Sequence, residues 1–402
     1  MENAMEQMIL KNGKYVTLDK KMPQMKALLL TDATITASAD AFILEEIAEG
    51  AQSIDLKNKT LIPGFHEPCF DIIKAAKSLA ASEDLSFNEA LKSLCTSFLN
   101  NGVTSADVIH ISAEDHELLK AADEGGYLLI DLCLYFTAAA SAALLPAQLA
   151  VDNAYTGHIK PGGVCMSVDA FTAREALTRT FKEYIEKKQQ VMVFADAKEA
   201  IDTVLNSYRD ALIAVNGEKT DEDGNVKPKI YEDLRPIIVG CAHLHESQLT
   251  LLQSLGFTPV FAHDSVESDG DKFMESLSQE EYENIYPLRS AVRRGLAFSV
   301  GHPDSLTAPD IIHSMYISTH RQSAGGYSVG FEQTINTDQA LLAQTLFPAY
   351  QSFEDLRRGS LTMTKKADLC VLSINPLEES ADALRDAKVL MTIKDGRIVY
   401  KA

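Results

Sequence analysis

Between His66 and Asp71 the chain carries an imidazole, two carboxylates and a thiol, in the run Leu61-Ile62-Pro63-Gly64-Phe65-His66-Glu67-Pro68-Cys69-Phe70-Asp71. Glu67 and Asp71 flank Pro68 closely enough to serve as an acid–base pair, one carboxyl protonated while the other stays ionised. Paired carboxylates near a turn are common, so the pattern alone weighs little. Half of the ten histidines fall just after apolar, strand-like runs: His66, His243, His245, His263 and His302. His243 and His245 together with His263 would make an imidazole ligand set for a metal ion. The plainer reading is that strand ends are polar and histidine caps loops well. His110, His116, His158, His313 and His320 read as helix or loop residues with no chemical case.

Side chains at strand ends act together only if the strands are parallel and neighbouring. Eight apolar runs meet that need: Leu61–Phe65, Thr104–Val108, Tyr127–Leu134, Gly163–Val168, Gln190–Ala195, Pro236–Cys241, Thr258–Ala262 and Leu296–Gly301. Helical periodicity separates them, as in Ala173–Lys187, Lys198–Val215 and Ser247–Leu255. Alternation of this kind predicts an α/β fold, a (β/α)₈ TIM barrel. No Gly-rich phosphate-binding turn follows an early strand, which disfavours a doubly wound sheet. Both chain ends read as β structure. Met8–Val16 predicts two short strands around the Asn12-Gly13 turn, and Ala367–Leu372, Val389–Ile393 and Ile398–Tyr400 predict three more. Neither end can bury a core alone, so a small β-sandwich formed by both termini is expected. The expected division is 1–60 and 361–402 for the sandwich and 61–360 for the barrel. Gly217 to Lys229 predicts an inserted hairpin or loop.

A net charge of −20 over 402 residues argues against nucleic acid and anionic membranes as partners. The start lacks a secretory pattern, and the Ala-rich run from Phe136 to Val151 is too short to span a bilayer. Six cysteines without short paired spacing fit reduced thiols in a cytoplasmic protein.

The order of several motifs resembles the amidohydrolase superfamily, in particular the branch containing N-substituted formamide deformylase. Asn12-Gly13-Lys14-Tyr15-Val16-Thr17 and Ile54 through Phe65 resemble its opening, and Gly102-Val103-Thr104-Ser105 its lead into strand two. Val193 through Asp202 is similar to its strand-five segment. Gly359-Ser360-Leu361, Lys366-Ala367-Asp368-Leu369 and Asp395-Gly396-Arg397-Ile398-Val399-Tyr400 are similar to its end. The resemblance implies a TIM barrel and hydrolysis of amide or other C–N bonds in a small molecule by metal-activated water.

It also implies where ligands would stand, and other residues occupy those places. The family's His-x-His after strand one corresponds to Cys69 and Asp71, and its strand-four lysine to Cys165. The strand-five histidine corresponds to Phe194, the strand-six Glu-His to Gly240-Cys241, and the strand-eight Ser-Asp to Gly301-His302. Asp169 matches the aspartate of an Asp-Gly pair and would serve equally as a structural acceptor. No metal is expected from this pattern, and no cofactor. The pocket candidates are therefore Cys69, Asp71, Cys165, Phe194, Cys241 and His302, with His66, Glu67, Asp169, His243, His245, His263 and Asp304 behind them.

Two readings stay open. Cys69, Cys165 and Cys241 are small apolar filler in a vacated cluster, or they converge with Asp71 and His302 on zinc or another divalent metal at a re-specified site. A reactive thiol beside His302 is a variant of the second. The functional expectation is a divergent hydrolase of C–N bonds whose ancestral metal site is lost or re-specified. The alternative is a non-catalytic pseudoenzyme that binds a small ligand or a protein partner. Homo-oligomerisation is left open.

Overall fold

The structure, a computed structural model, describes residues 6–145, 154–221 and 226–402. Eight parallel strands form one continuous sheet in chain order. They are β1 (Phe65–Phe70), β2 (Val103–Ile111), β3 (Asp131–Phe136), β4 (Ile159–Ser167), β5 (Gln190–Ala195), β6 (Ile237–Gly240), β7 (Thr258–Phe261) and β8 (Ser299–Val300).

Along β3 and β5 the residues alternate with period two between an inner and an outer face. Cys69, Ile109, Cys133, Tyr135, Cys165, Met192, Ile237, Val239 and Val260 form a packed cluster of their own, with Phe194 against it. The intervening residues, such as Ala106, Leu132, Val164, Val193, Ile238 and Phe261, join the core shared with the helices. The predicted helices form within a residue or two of their expected bounds, as Arg174–Glu186, Lys198–Asn216 and Glu246–Ser254. The helix Lys198–Asn216 buries Ala200, Ile201, Val204, Leu205, Tyr208 and Leu212 along one stripe. Gly217 ends it, at a φ of 78° that suits glycine.

No ladder joins β8 to β1; other groups close that seam. Near its lower end the Val300 amide donates to the Ala343 carbonyl (3.4 Å), and the His66 amide donates to the Gln344 carbonyl (3.0 Å). Near its upper end the Glu67 carboxylate, on β1, accepts from the amides of Cys69 (3.1 Å) and His302 (3.0 Å).

Two further sheets lie beyond the N-terminal end of the barrel. Thr34–Ser38, Ala27–Thr31, Gln7–Lys11 and Gln52–Asp55 make one. Arg397–Lys401, Val389–Lys394, Leu369–Leu372, Thr60–Pro63 and Lys14–Tyr15 make the other. Leu10, Leu28, Leu30, Leu61, Leu369 and Ile393 share one apolar core, so residues from both chain ends pack together.

Buried ion pairs join these sheets to the barrel. Asp131 of β3 meets Arg358 (2.6 Å), Lys366 (2.6 Å) and Lys394 (3.3 Å). Burial alone would raise its pKa, but those three cations hold its carboxyl far below the usual range.

Some boundaries differ from expectation for physical reasons. The run Leu61–Phe65 is not one strand. Thr60–Pro63 pairs with Leu369–Leu372 in the sandwich, and the barrel begins at Phe65. The break is at Gly64, where an added Cβ would lie 2.6 Å from the Thr104 side chain, so only glycine lets the chain cross there. The Asn12-Gly13 turn does not close a hairpin. Gln7–Lys11 pairs with Ala27–Thr31 and Gln52–Asp55, whereas Lys14–Tyr15 pairs with Thr60–Leu61 in the other sheet. β2 extends three residues past the expected Val108, through an irregular register before Ile111. β4 begins at Ile159, ahead of the expected Gly163, because a register shift between Pro161 and Gly163 carries the strand past the proline. The predicted insertion is a hairpin of Glu218–Thr220 with Val226–Pro228. Its Asp223-Gly224-Asn225 turn lies outside the described residues, as does the Ala-rich run beyond Leu145. Among the described residues no helix is long and apolar enough to cross a membrane.

Candidate functional site

The C-terminal ends of parallel barrel strands are where a TIM barrel gathers functional groups. Here they enclose a cavity of about 350 Å³. His110 of β2, Ser167 of β4, Phe194 and Asp196 at the end of β5, Val239 of β6, and Asp304 beyond β8 line it. A second cavity of about 520 Å³ is larger. It lies to one side, however, between the loop after β6 and the helix Gln279–Asn284, and draws on fewer strand ends.

At the mouth the His110 ring stacks on Phe194, centroids 5.1 Å apart and planes 30° apart. His110 Nδ1 lies 3.6 Å from Asp71 Oδ2, an electrostatic contact longer than a hydrogen bond. Asp71 is held because it caps the helix Ile72–Glu83, accepting from the Lys74 amide at 2.9 Å. The His110 side chain stays 44% exposed to the cavity and solvent.

The thiols divide differently from the expectation. Cys69 and Cys165 share the barrel interior, and the third cysteine there is Cys133. Cys241 is not with them; it packs among the helix-facing residues. The cause is local: Gly240 and Cys241 take successive positive φ values of 97° and 58°, which turn the Cys241 side chain outward. Burial pushes the Cys165 thiol up to about 11, and burial with Glu67 nearby raises Cys69 further. Cys165 Sγ accepts from the His110 amide (3.1 Å) and donates to the Tyr135 carbonyl (3.4 Å). A metal would bind these thiols only as thiolates, and Cys241 stands apart from the other two. Phe194 offers a metal nothing. Of the donors at the places that the resemblance assigns to metal ligands, only Cys69 and Cys165 come together in the barrel interior.

His302 also departs from the expected place. It is 6% exposed and faces the helix layer rather than the cavity. Its Nδ1 donates to Glu67 Oε2 (2.6 Å), and its Nε2 meets Ser314 Oγ (2.8 Å) and Asp264 Oδ2 (3.1 Å). Burial disfavours the imidazolium, but the negative charges of Glu67 and Asp264 outweigh it and hold the His302 pKa well above its ordinary value. Glu67 is therefore committed to the seam and is no partner of Asp71 in acid–base work.

The remaining candidates scatter. His66 is buried between Asp107 (3.0 Å) and Ser105 (2.8 Å). His263 is buried against Ser318 (2.6 Å), and burial lowers its pKa. His245 caps the helix Glu246–Ser254, and with His243 it lines the side cavity, so these two do not meet His263. Asp169 accepts from Phe171 N (3.0 Å) and Thr172 Oγ1 (2.8 Å), a loop-fixing role. Asp304 does line the mouth. His110, Ser167 and Asp196 were not foreseen. The sequence does carry a signal for His110: it stands at the end of β2 once that strand is extended past Val108.

Among the described residues, three metal-type side chains come within mutual reach at Asp131, His158 and Asp395. They lie at the opposite end of the barrel. Lys366 already bridges both carboxylates (2.6 and 2.5 Å), and Lys394 contacts them too. A cation there would have to displace ammonium groups, so this cluster is an ion-pair network.

The Amidohydrolase family pattern matches residues 87–400. N-substituted formamide deformylase from Arthrobacter pascens is 29% identical over 124 residues, 30% of this chain and 22% of that protein. Protein LONG AFTER FAR-RED 3 from Arabidopsis thaliana is 23% identical over 306 residues, 69% of this chain and 50% of that protein. The chain thus spans half or less of the length of these curated relatives. An uncharacterized metal-dependent hydrolase from Pyrococcus furiosus superposes with TM-score 0.73 at 13% identity, covering 92% of this chain and 100% of that one. N-isopropylammelide isopropylaminohydrolase from Burkholderia multivorans gives TM-score 0.68 at 12% identity, covering 99% of both. At such identities the superpositions show the fold, and the family match runs through most of the barrel to the last sandwich strand. The chain belongs to the amidohydrolase family.

Proposed function

We propose that this chain hydrolyses a C–N bond of a small molecule at the barrel mouth, without the metal centre its family uses. The observation that carries this reading is His110, set against Asp71 and stacked on Phe194 at the rim of the cavity. Asp71 beside Nδ1 favours the tautomer with its proton there, leaving Nε2 to accept a proton from water. A base so placed supplies about 10²–10⁴-fold in rate. The names of two relatives, a formamide deformylase and an isopropylaminohydrolase, support a C–N bond as the target. The strongly negative surface supports a small-molecule partner over nucleic acid, and a cytoplasmic protein is the setting that fits its reduced thiols.

A second reading is favoured by the apolar plug beneath the mouth: a pseudoenzyme that binds its ligand and does not turn it over. Elemental analysis of protein purified without added metal, followed by turnover of small amides and amidines with and without chelator, separates the two. Chelator-resistant turnover that falls at least 100-fold in His110→Gln supports hydrolysis by this base. Binding without turnover supports the second reading. Stoichiometric zinc that disappears in a Cys69→Ala/Cys165→Ala variant overturns the metal-free assignment altogether.

A further inference from the structure

The geometry points to a cationic substrate of the amidinium or guanidinium class at the barrel mouth, an inference that rests on the hydrolytic reading above. Three features of the cavity converge on it. Its lining contains two carboxylates, Asp196 and Asp304, and no Lys or Arg. One wall is an aromatic plate, Phe194 overlaid by the His110 ring, and a ring face attracts a planar cation. Behind His110 stands a third carboxylate, Asp71.

The chemistry discriminates between substrate classes. Hydrolysis of a neutral amide by a general base passes through an oxyanion, which needs donors or positive charge around it. This mouth offers carboxylates instead. An amidinium begins with a positive charge. Water attacks its central carbon, the new C–O bond forms, and the displaced proton goes to His110 Nε2. The tetrahedral adduct is then neutral, and the positive charge has moved to the imidazolium beside Asp71. The imidazolium returns that proton to the departing nitrogen, the C–N bond breaks, and the hydroxyl proton of the resulting protonated amide passes to ammonia. The products are one amide and one ammonium ion. The positive charge never leaves the carboxylate-lined site, and no oxyanion forms.

The test is calorimetric binding to the full-length protein of benzamidine, benzamide and benzoate, three probes of nearly equal shape and different charge. The expected order is benzamidine at least 10-fold tighter than benzamide, with benzoate weakest. Binding of benzamidine should weaken as salt is raised, and Asp304→Asn should cut it several-fold more than it cuts binding of benzamide. Equal affinity for benzamidine and benzamide, or no benzamidine binding at millimolar concentration, overturns the inference. The readout does not depend on turnover. Tight benzamidine binding with no hydrolysis of any amidine would defeat the hydrolytic reading alone. Turnover of neutral amides with no preference for the cation would defeat this inference alone.

Discussion

Glu67→Gln removes one charge from the barrel seam while preserving shape. Glu67 is fully buried and accepts three hydrogen bonds, from His302 Nδ1 (2.6 Å), His302 N (3.0 Å) and Cys69 N (3.1 Å). An amide oxygen can keep the two backbone bonds. It cannot keep the charge-assisted one without turning its NH₂ group toward another donor. Hydrogen bonds to charged groups are worth about 1.5–3 kcal/mol, and breaking a buried ion pair costs about 3–5 kcal/mol. A loss of about 3 kcal/mol at pH 6 is therefore expected.

The pH dependence supplies the stronger check. The folded His302 pKa is held well above the ordinary histidine value of about 6.5. Its contribution is therefore complete below about pH 6.5 and fades as pH rises through the raised value. Wild type and variant should differ most at pH 6 and draw together in alkaline buffer. Urea unfolding followed by far-UV circular dichroism from pH 6 to pH 10 measures the gap. A gap under about 0.5 kcal/mol at pH 6, or one that widens with pH, would refute the proposed seam lock, since a surface substitution of no consequence has that size.

Three further outcomes are expected. All six cysteines are buried, so a thiol reagent at pH 8 should label native protein slowly and denatured protein at all six; one fast thiol titrating near pH 7 would contradict the raised Cys69 and Cys165 values. Asp131→Asn should destabilise the junction between barrel and sandwich by about 1.5–3 kcal/mol, because Arg358 and Lys366 lose a charge-assisted partner while Glu354, Asp368 and Asp395 stay beside them. The wild-type contribution should persist above about pH 4 and disappear only in strong acid, which acid titration of fluorescence or circular dichroism follows. Gly64→Ala should cost about 1–3 kcal/mol by overpacking against Thr104, and Thr104→Ala in the same chain should restore part of it on thermal denaturation.

Periodicity along the chain was enough to recover the barrel. Inward and outward residues alternate strictly in β3 and β5, and the helices between the strands carry apolar stripes, so local pattern and global fold agree. Motif order was enough to recover the family. Chain-end strands were also legible, but their partners were not: Asn12-Gly13 looks like a hairpin turn locally, and only the competing edges of Ala27–Thr31 and Thr60–Pro63 send its two arms to different sheets.

What sequence determined by itself was the scaffold and the identity of the residues at its strand ends, because side-chain period and turn chemistry act over a few residues. Which way those residues face was decided by tertiary structure. Two successive left-handed residues turn Cys241 out of the barrel. Charges from two separate elements draw His302 into the seam with Glu67 and Asp264. An extension of β2 past Val108 carries His110 to the cavity, where a carboxylate from the neighbouring helix cap meets it. The last two depend on groups distant in sequence, and the energy that settles those side chains' directions exists only when the groups are brought together.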